Sequence, residues 1–104
     1  MKKYIVEITN EALADMEQLY DYITFMLLAP DNAARQYNRI ADKILTLDSF
    51  PERYMILDID DEQIKEIRRM PVDNFSVFYV IRKNRVIVTN VLYSASSINS
   101  RLSI

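Results

Sequence analysis

Four residue types are missing altogether from this chain: histidine, glycine, cysteine and tryptophan. Without histidine, every mechanism that turns on an imidazole is excluded, including Ser-His-Asp triads, Cys-His pairs and His-ligated zinc. Without glycine, loops that cradle phosphate through close backbone approach or positive φ are not expected, and the usual nucleotide-binding enzymes drop out with them. Without cysteine there is neither a disulfide framework nor thiolate chemistry, in keeping with a reducing compartment. Any acid–base work is left to Asp, Glu, Lys, Arg or Tyr. Long apolar runs are missing too. Glu7 interrupts a run at residues 4–8 that is already too short for a signal peptide, and nothing approaches membrane-spanning length. The cytoplasm is therefore the expected location, with no membrane association, no metal and no cofactor.

What is present is enough for one core. The chain has 104 residues, half of them apolar, so a single domain over residues 1–104 is expected to fold without metal or disulfide help. The net charge is only −2, yet it is unevenly spread. Residues 1–66 carry seven Lys/Arg against fourteen Asp/Glu, whereas residues 67–104 carry six Lys/Arg against Asp73 alone. An acidic front joined to a basic back suggests a polyanion site at the back, or an acidic partner covering it. A solvated surface of strand ends explains any single one of these charges equally well.

Hydrophobic spacing orders the elements. Residues 2–8 alternate as a short strand, with Tyr4, Val6 and Ile8 on one side. Thr9 or Asn10 is placed to cap a helix running to about Leu28, whose buried face reads Ala12, Met16, Leu19, Ile23 and Met26. Pro30-Asp31 opens a second helix to about Leu47, with Ala33, Tyr37, Ile40, Ile44 and Leu47 on its face. The short link makes the two an antiparallel hairpin. Surface pairs are expected between Asp15 and Lys43, and between Asp21 and Arg35 or Arg39. Phe50-Pro51 ends the second helix. Strands are predicted at Tyr54–Ile59, Ile64–Met70, Asn74–Arg82 and Arg85–Tyr93, with a solvated acidic turn at Asp58, Asp60, Asp61 and Glu62. The last hairpin turn is Arg82-Lys83-Asn84-Arg85, where Asn84 is expected to supply the left-handed conformation. The fold class is α+β: an N-terminal strand, then a helical hairpin packed on one face of a mostly antiparallel four- to five-stranded sheet.

These landmarks resemble the RelE/ParE superfamily of toxins. Asp15-Met16 and Tyr22-Ile23 after Ala12, then Ala33-Ala34 leading to Phe50-Pro51, are similar to the family's two helices. Residues 67–79, from Ile67-Arg68-Arg69 to Asn74-Phe75 and Phe78-Tyr79, are close to its Arg, Asn-Tyr and Phe-Tyr signature. Val86–Tyr93 resembles its last strand. The resemblance implies the toxin of a type II toxin-antitoxin pair whose cognate antitoxin is a protein. It also implies either a homodimer or a toxin-antitoxin heterotetramer.

Two departures bear on mechanism. The family's ribosome-dependent nucleases carry a basic residue two before the position of Phe78, where this chain has Ser76. They also carry an Arg-rich or His-containing stretch after the last strand, where this chain has Ser94-Ala95-Ser96-Ser97. Cleavage of RNA by a ribose 2′-hydroxyl needs a base, a cation and an acid. Lys65, Arg68, Arg69 and Tyr93 are the remaining candidates, and each also has a structural reading as a strand residue. The favoured expectation is a ParE-like toxin that binds a target such as DNA gyrase. An mRNA interferase acting on the ribosome and a non-toxic antitoxin-binding relative are the alternatives. Arg68, Arg69, Arg82, Lys83 and Arg85 are the expected contacts for the antitoxin or the target.

Overall fold

The computed structural model describes residues 3–57 and 66–93. Its elements follow the order β1 (Ile5–Ile8), α1 (Asn10–Asp21), α2 (Pro30–Leu45), β2 (Arg68–Val72), β3 (Phe75–Arg82) and β4 (Arg85–Tyr93). The four strands form one sheet in the order β1-β4-β3-β2, antiparallel except where β1 runs parallel to β4. The helical hairpin lies on one face of this sheet.

Each junction has a local cause. Thr9 caps α1 by accepting from the Ala12 amide at 3.1 Å. Its hydroxyl also donates to the Thr89 carbonyl and its amide to the Val88 carbonyl, so the start of the helix is bonded to β4. Pro30 opens α2 at the position where a missing amide proton costs nothing. Ala33, Ile40, Ile44 and Leu47 are buried as their spacing predicts, and Tyr37 packs beside them.

The α1 stripe holds only as far as Ile23. Residues Tyr22–Met26 form a π-helical turn, which carries more residues per turn than an α-helix and rotates the face, so Met26 is exposed rather than buried. The turn is closed by a hydrogen bond that the Ala29 amide donates to the Ile23 carbonyl, with Leu28 left-handed at φ 53°. It is one residue wider than the six-to-one closure normally made with glycine at the left-handed position. Leu28, Phe50, Glu66, Asp73 and Lys83 all have positive φ. The absence of glycine therefore did not exclude left-handed backbone; it made each such position cost about 1–2 kcal/mol, offset by surrounding structure. In the last turn it is Lys83, not Asn84, that takes this conformation.

The strand after Phe50-Pro51 and the helix–helix ion pairs are revised. Instead of a strand at Tyr54–Ile59, the described part of that segment makes a single bridge, Ile56 to Arg68, with the Leu57 amide bonded to the Ile67 carbonyl. The acidic turn at residues 58–62 and the start of the strand predicted from Ile64 lie outside the described residues. Neither helix–helix ion pair forms. Asp15 is 6% exposed and turned toward the sheet, while Arg39 reaches Asp73 on the β2–β3 turn.

The main core lies between hairpin and sheet, built from Met16, Ile40, Ile44, Leu47, Met70, Val77, Tyr79, Val86 and Val88 among others. The opposite face is not bare: Ile67, Phe78 and Leu92 are buried there beside Leu57 and Val80. The segment after α2 is pinned to the sheet from three sides. Tyr79 donates to the Pro51 carbonyl at 2.6 Å, Arg68 to the carbonyls of Glu52 and Tyr54, and Tyr4 to the Glu52 carboxylate.

Candidate functional site

The residues expected to carry chemistry are distributed over both faces of the sheet. Along β2, Arg68, Met70 and Val72 point to the helices and Arg69 to the far face, because neighbouring strand residues alternate. Arg68 spends its guanidinium on the two carbonyls just described. Arg69 is half-buried and donates from Nε to the Ser76 hydroxyl at 2.7 Å; Ser76 itself is fully buried. Tyr93 lies on the helix side, edge to face with Phe75 at a centroid distance of 5.7 Å. Arg69 and Tyr93 are thus on opposite faces. Arg68 and Tyr93, though on the same face, sit opposite Tyr79 and Phe75, four residues or about 13 Å apart along β3. Lys65 lies outside the described residues, as does the stretch 94–97.

The basic residues of the β3–β4 hairpin form a separate group. Arg82 and Arg85 are register partners, Lys83 is exposed between them, Arg82 donates to the Ile81 carbonyl, and Arg85 pairs with Glu7 of β1. Arg68 and Arg69 pair with Tyr79 and Phe78, three and four residues before Arg82 along β3.

What the structure does bring together is a groove of about 1090 Å³ between the helical hairpin, the start of β3 and the end of β4. Leu19, Ile23, Phe75 and Val91 supply its apolar surface, and Asp15 sits among them, accepting from the Val91 amide at 3.0 Å and from Asn90 at 3.4 Å. Arg35, Gln36 and Arg39 of α2 line it on one side; Tyr22, Leu27 and Tyr93 add exposed apolar area. The groove joins bulky apolar surface to guanidinium groups.

Arg39 is held by a two-pronged contact with Asp73, at 2.8 Å and 3.0 Å, and Gln36 adds a third bond at 3.0 Å. The Arg39 hydrogen bond, followed by that of Gln36, holds the Asp73 carboxyl below the usual carboxylate range. A depressed carboxylate contributes stability above its unfolded pKa and loses it as pH falls through the folded value. Asp73→Asn is therefore expected to flatten the acid limb of a stability–pH curve below about pH 4, the two proteins differing most at neutral pH, by less at high salt, and converging in acid. Urea titrations of both proteins at stepped pH check this.

Of the groove residues, only Tyr93 was read from the sequence as a site. Asp15 was within reach: with Ala12, Met16 and Leu19 it occupies the buried stripe of α1, and a carboxylate on such a stripe needs a buried partner. Arg35 and Arg39 gave no comparable signal, since charges at i,i+4 on a helix usually face solvent.

A helical hairpin over a mixed four-stranded sheet is the fold of solved toxins from toxin-antitoxin systems. The chain is similar to one in the chromosomal ParDE toxin-antitoxin system of P. aeruginosa, with a TM-score of 0.72 and 16% identity over 88% of this chain and 96% of that one. It is similar to an arginine-to-alanine double mutant of E. coli toxin RelE in the free state, at TM-score 0.65 and 12% identity, covering 97% and 94%. It also resembles a chain of the archaeal RelE–RelB complex from Pyrococcus horikoshii OT3, at TM-score 0.60 and 12% identity, covering 91% and 99%. No curated protein sequence matches. The family of ParE toxins of type II toxin-antitoxin systems, parDE, matches residues 6–97, and the chain belongs to it.

Proposed function

We propose that this ParE-family toxin arrests growth by binding its target rather than by cutting RNA, and that its antitoxin neutralises it by laying an acidic, amphipathic segment into the groove. The observation that supports binding over cleavage is the dispersal of Arg68, Arg69 and Tyr93. Two guanidiniums are committed to internal acceptors, and the candidate acid faces away from Arg69. One phosphate in flight needs its cation and its acid within hydrogen-bond reach of the same atoms. The groove suits an antitoxin segment because its apolar lining would take the buried face of a helix and Arg35 would meet its carboxylates. DNA gyrase is the target class this reading favours.

The test is induction of the chain alone in a bacterial host, with DNA, RNA and protein synthesis followed separately. DNA synthesis is expected to fall first while mRNA stays full-length, and Arg69→Ala is expected to arrest growth as the parent does. Purified chain should also inhibit supercoiling by gyrase. Discrete mRNA fragments that vanish with Arg69→Ala would establish the interferase reading instead, and harmless induction would establish the non-toxic one.

A further inference from the structure

The outer side of the helical hairpin carries a second surface of opposite character. Between Lys3 and Arg35 the sequence has no basic residue against six carboxylates. Glu17, Tyr20, Asp21 and Tyr37 line a depression of about 360 Å³, in which the two tyrosines meet edge to face with centroids 6.0 Å apart. Aromatic rings beside paired carboxylates select a guanidinium or an ammonium, because the ring quadrupole attracts the cation and the carboxylates hydrogen-bond it. One turn beyond Asp21, the π-helical turn presents Phe25 and Met26, 68% and 71% exposed, and Leu28 follows at 82%. Isolated exposed apolar residues are ordinary; a contiguous group of bulky ones, rimmed by polar residues, marks a contact surface.

Charge decides what such a surface accepts. An acidic antitoxin segment is repelled by Glu17 and Asp21, and so is a nucleic acid. Among the described residues, the chain's own basic hairpin at Arg82, Lys83 and Arg85 has Ile5, the register partner of Arg85, as the exposed apolar side chain to set against Phe25 and Met26. We infer that the outer face of the hairpin, Glu17, Tyr20, Asp21 and Tyr37 together with Phe25 and Met26, docks the toxin's target protein through a segment that carries Arg or Lys beside bulky apolar side chains. Toxin action and antitoxin binding then occupy different sides of the hairpin. The inference rests on the reading that the chain acts by binding.

The experiment uses the full chain and two double variants, Glu17→Lys with Asp21→Lys, and Phe25→Ser with Met26→Ser. Reversal at Glu11 and Asp42, at the other end of the hairpin, serves as the charge-matched control. The direct probe is a fluorescent twelve-residue amphipathic peptide of leucine and arginine, read by anisotropy against its leucine–glutamate counterpart. Both double variants are expected to melt like the parent yet bind the leucine–arginine peptide about tenfold more weakly, while the control and the leucine–glutamate peptide stay within about twofold. On induction, both should lose growth arrest. Equal peptide affinity for parent and variants, or arrest that survives both double variants, overturns the inference. So does a concentration-dependent dimer that Phe25→Ser with Met26→Ser dissolves, because the patch would then face a second copy. If the parent itself fails to arrest growth, the proposed function fails, and the peptide measurement alone decides this surface.

Discussion

Replacing Asp15 with alanine is expected to destabilise the protein by about 2–3 kcal/mol, the range for leaving a buried donor without its charged acceptor. The carboxylate is 6% exposed and accepts from the amide of Val91, a residue of the core strand β4. Methyl in its place leaves that amide without its charged acceptor beside the apolar Met16, Leu19 and Val91. For a domain of this size the loss corresponds to roughly 10 °C or more in melting temperature. Asp15→Asn keeps an acceptor oxygen and should recover about half of the difference. Urea unfolding checks this: the midpoint should drop with an unchanged slope, whereas a loss under 0.5 kcal/mol, about that of a surface change, would contradict the structural role. Because Asp15 is also part of the groove, the same variant should weaken whatever fills it.

Between pH 10 and pH 12 the protein is expected to lose about 2–3 kcal/mol of stability through Tyr79 alone. Burial, only partly countered by the nearby charges of Arg68 and Arg53, pushes its phenol up to about 12 from 10.0. The sign follows from proton counting. Above pH 10 the unfolded tyrosine releases its proton while the folded one keeps it, so the unfolded state binds fewer protons and stability declines as pH rises. Tyr79→Phe should remove that alkaline loss. At neutral pH it should cost about 1 kcal/mol, because the Pro51 carbonyl loses the hydroxyl that reaches it at 2.6 Å. The other tyrosines are common to both proteins, so the difference between two urea titrations from pH 8 to pH 11.5 isolates this one group. Parallel curves would mean that Tyr79 is not the buried phenol described.

Both residues lie where reading the sequence was least complete. Spacing located α2 and β4 nearly residue for residue, because each has one uninterrupted buried face and clear ends: Pro30 at one, the Arg82–Arg85 turn at the other. It overran α1, since a π-helical turn leaves no mark in the hydrophobic pattern except a methionine that should have been buried and is not. It placed a strand at Tyr54–Ile59 because β-branched and aromatic residues there fit a sheet edge. Among the described residues of that segment only the bridge at Ile56 forms, while Arg68 and Tyr79 tie the carbonyl of Tyr54, and those of Pro51 and Glu52 just before it, to side chains.

The sequence by itself determined the layer architecture, the family and the exclusion of imidazole and thiol chemistry, all of which depend on residue type and period. Tertiary structure alone decided which charges meet. Arg39 reaches Asp73 across 34 positions, Asp15 reaches Val91 across 76, and Arg69 and Tyr93 part to opposite faces. Period fixes which way a side chain points along its own element; only the packing of one element on another fixes what it finds there.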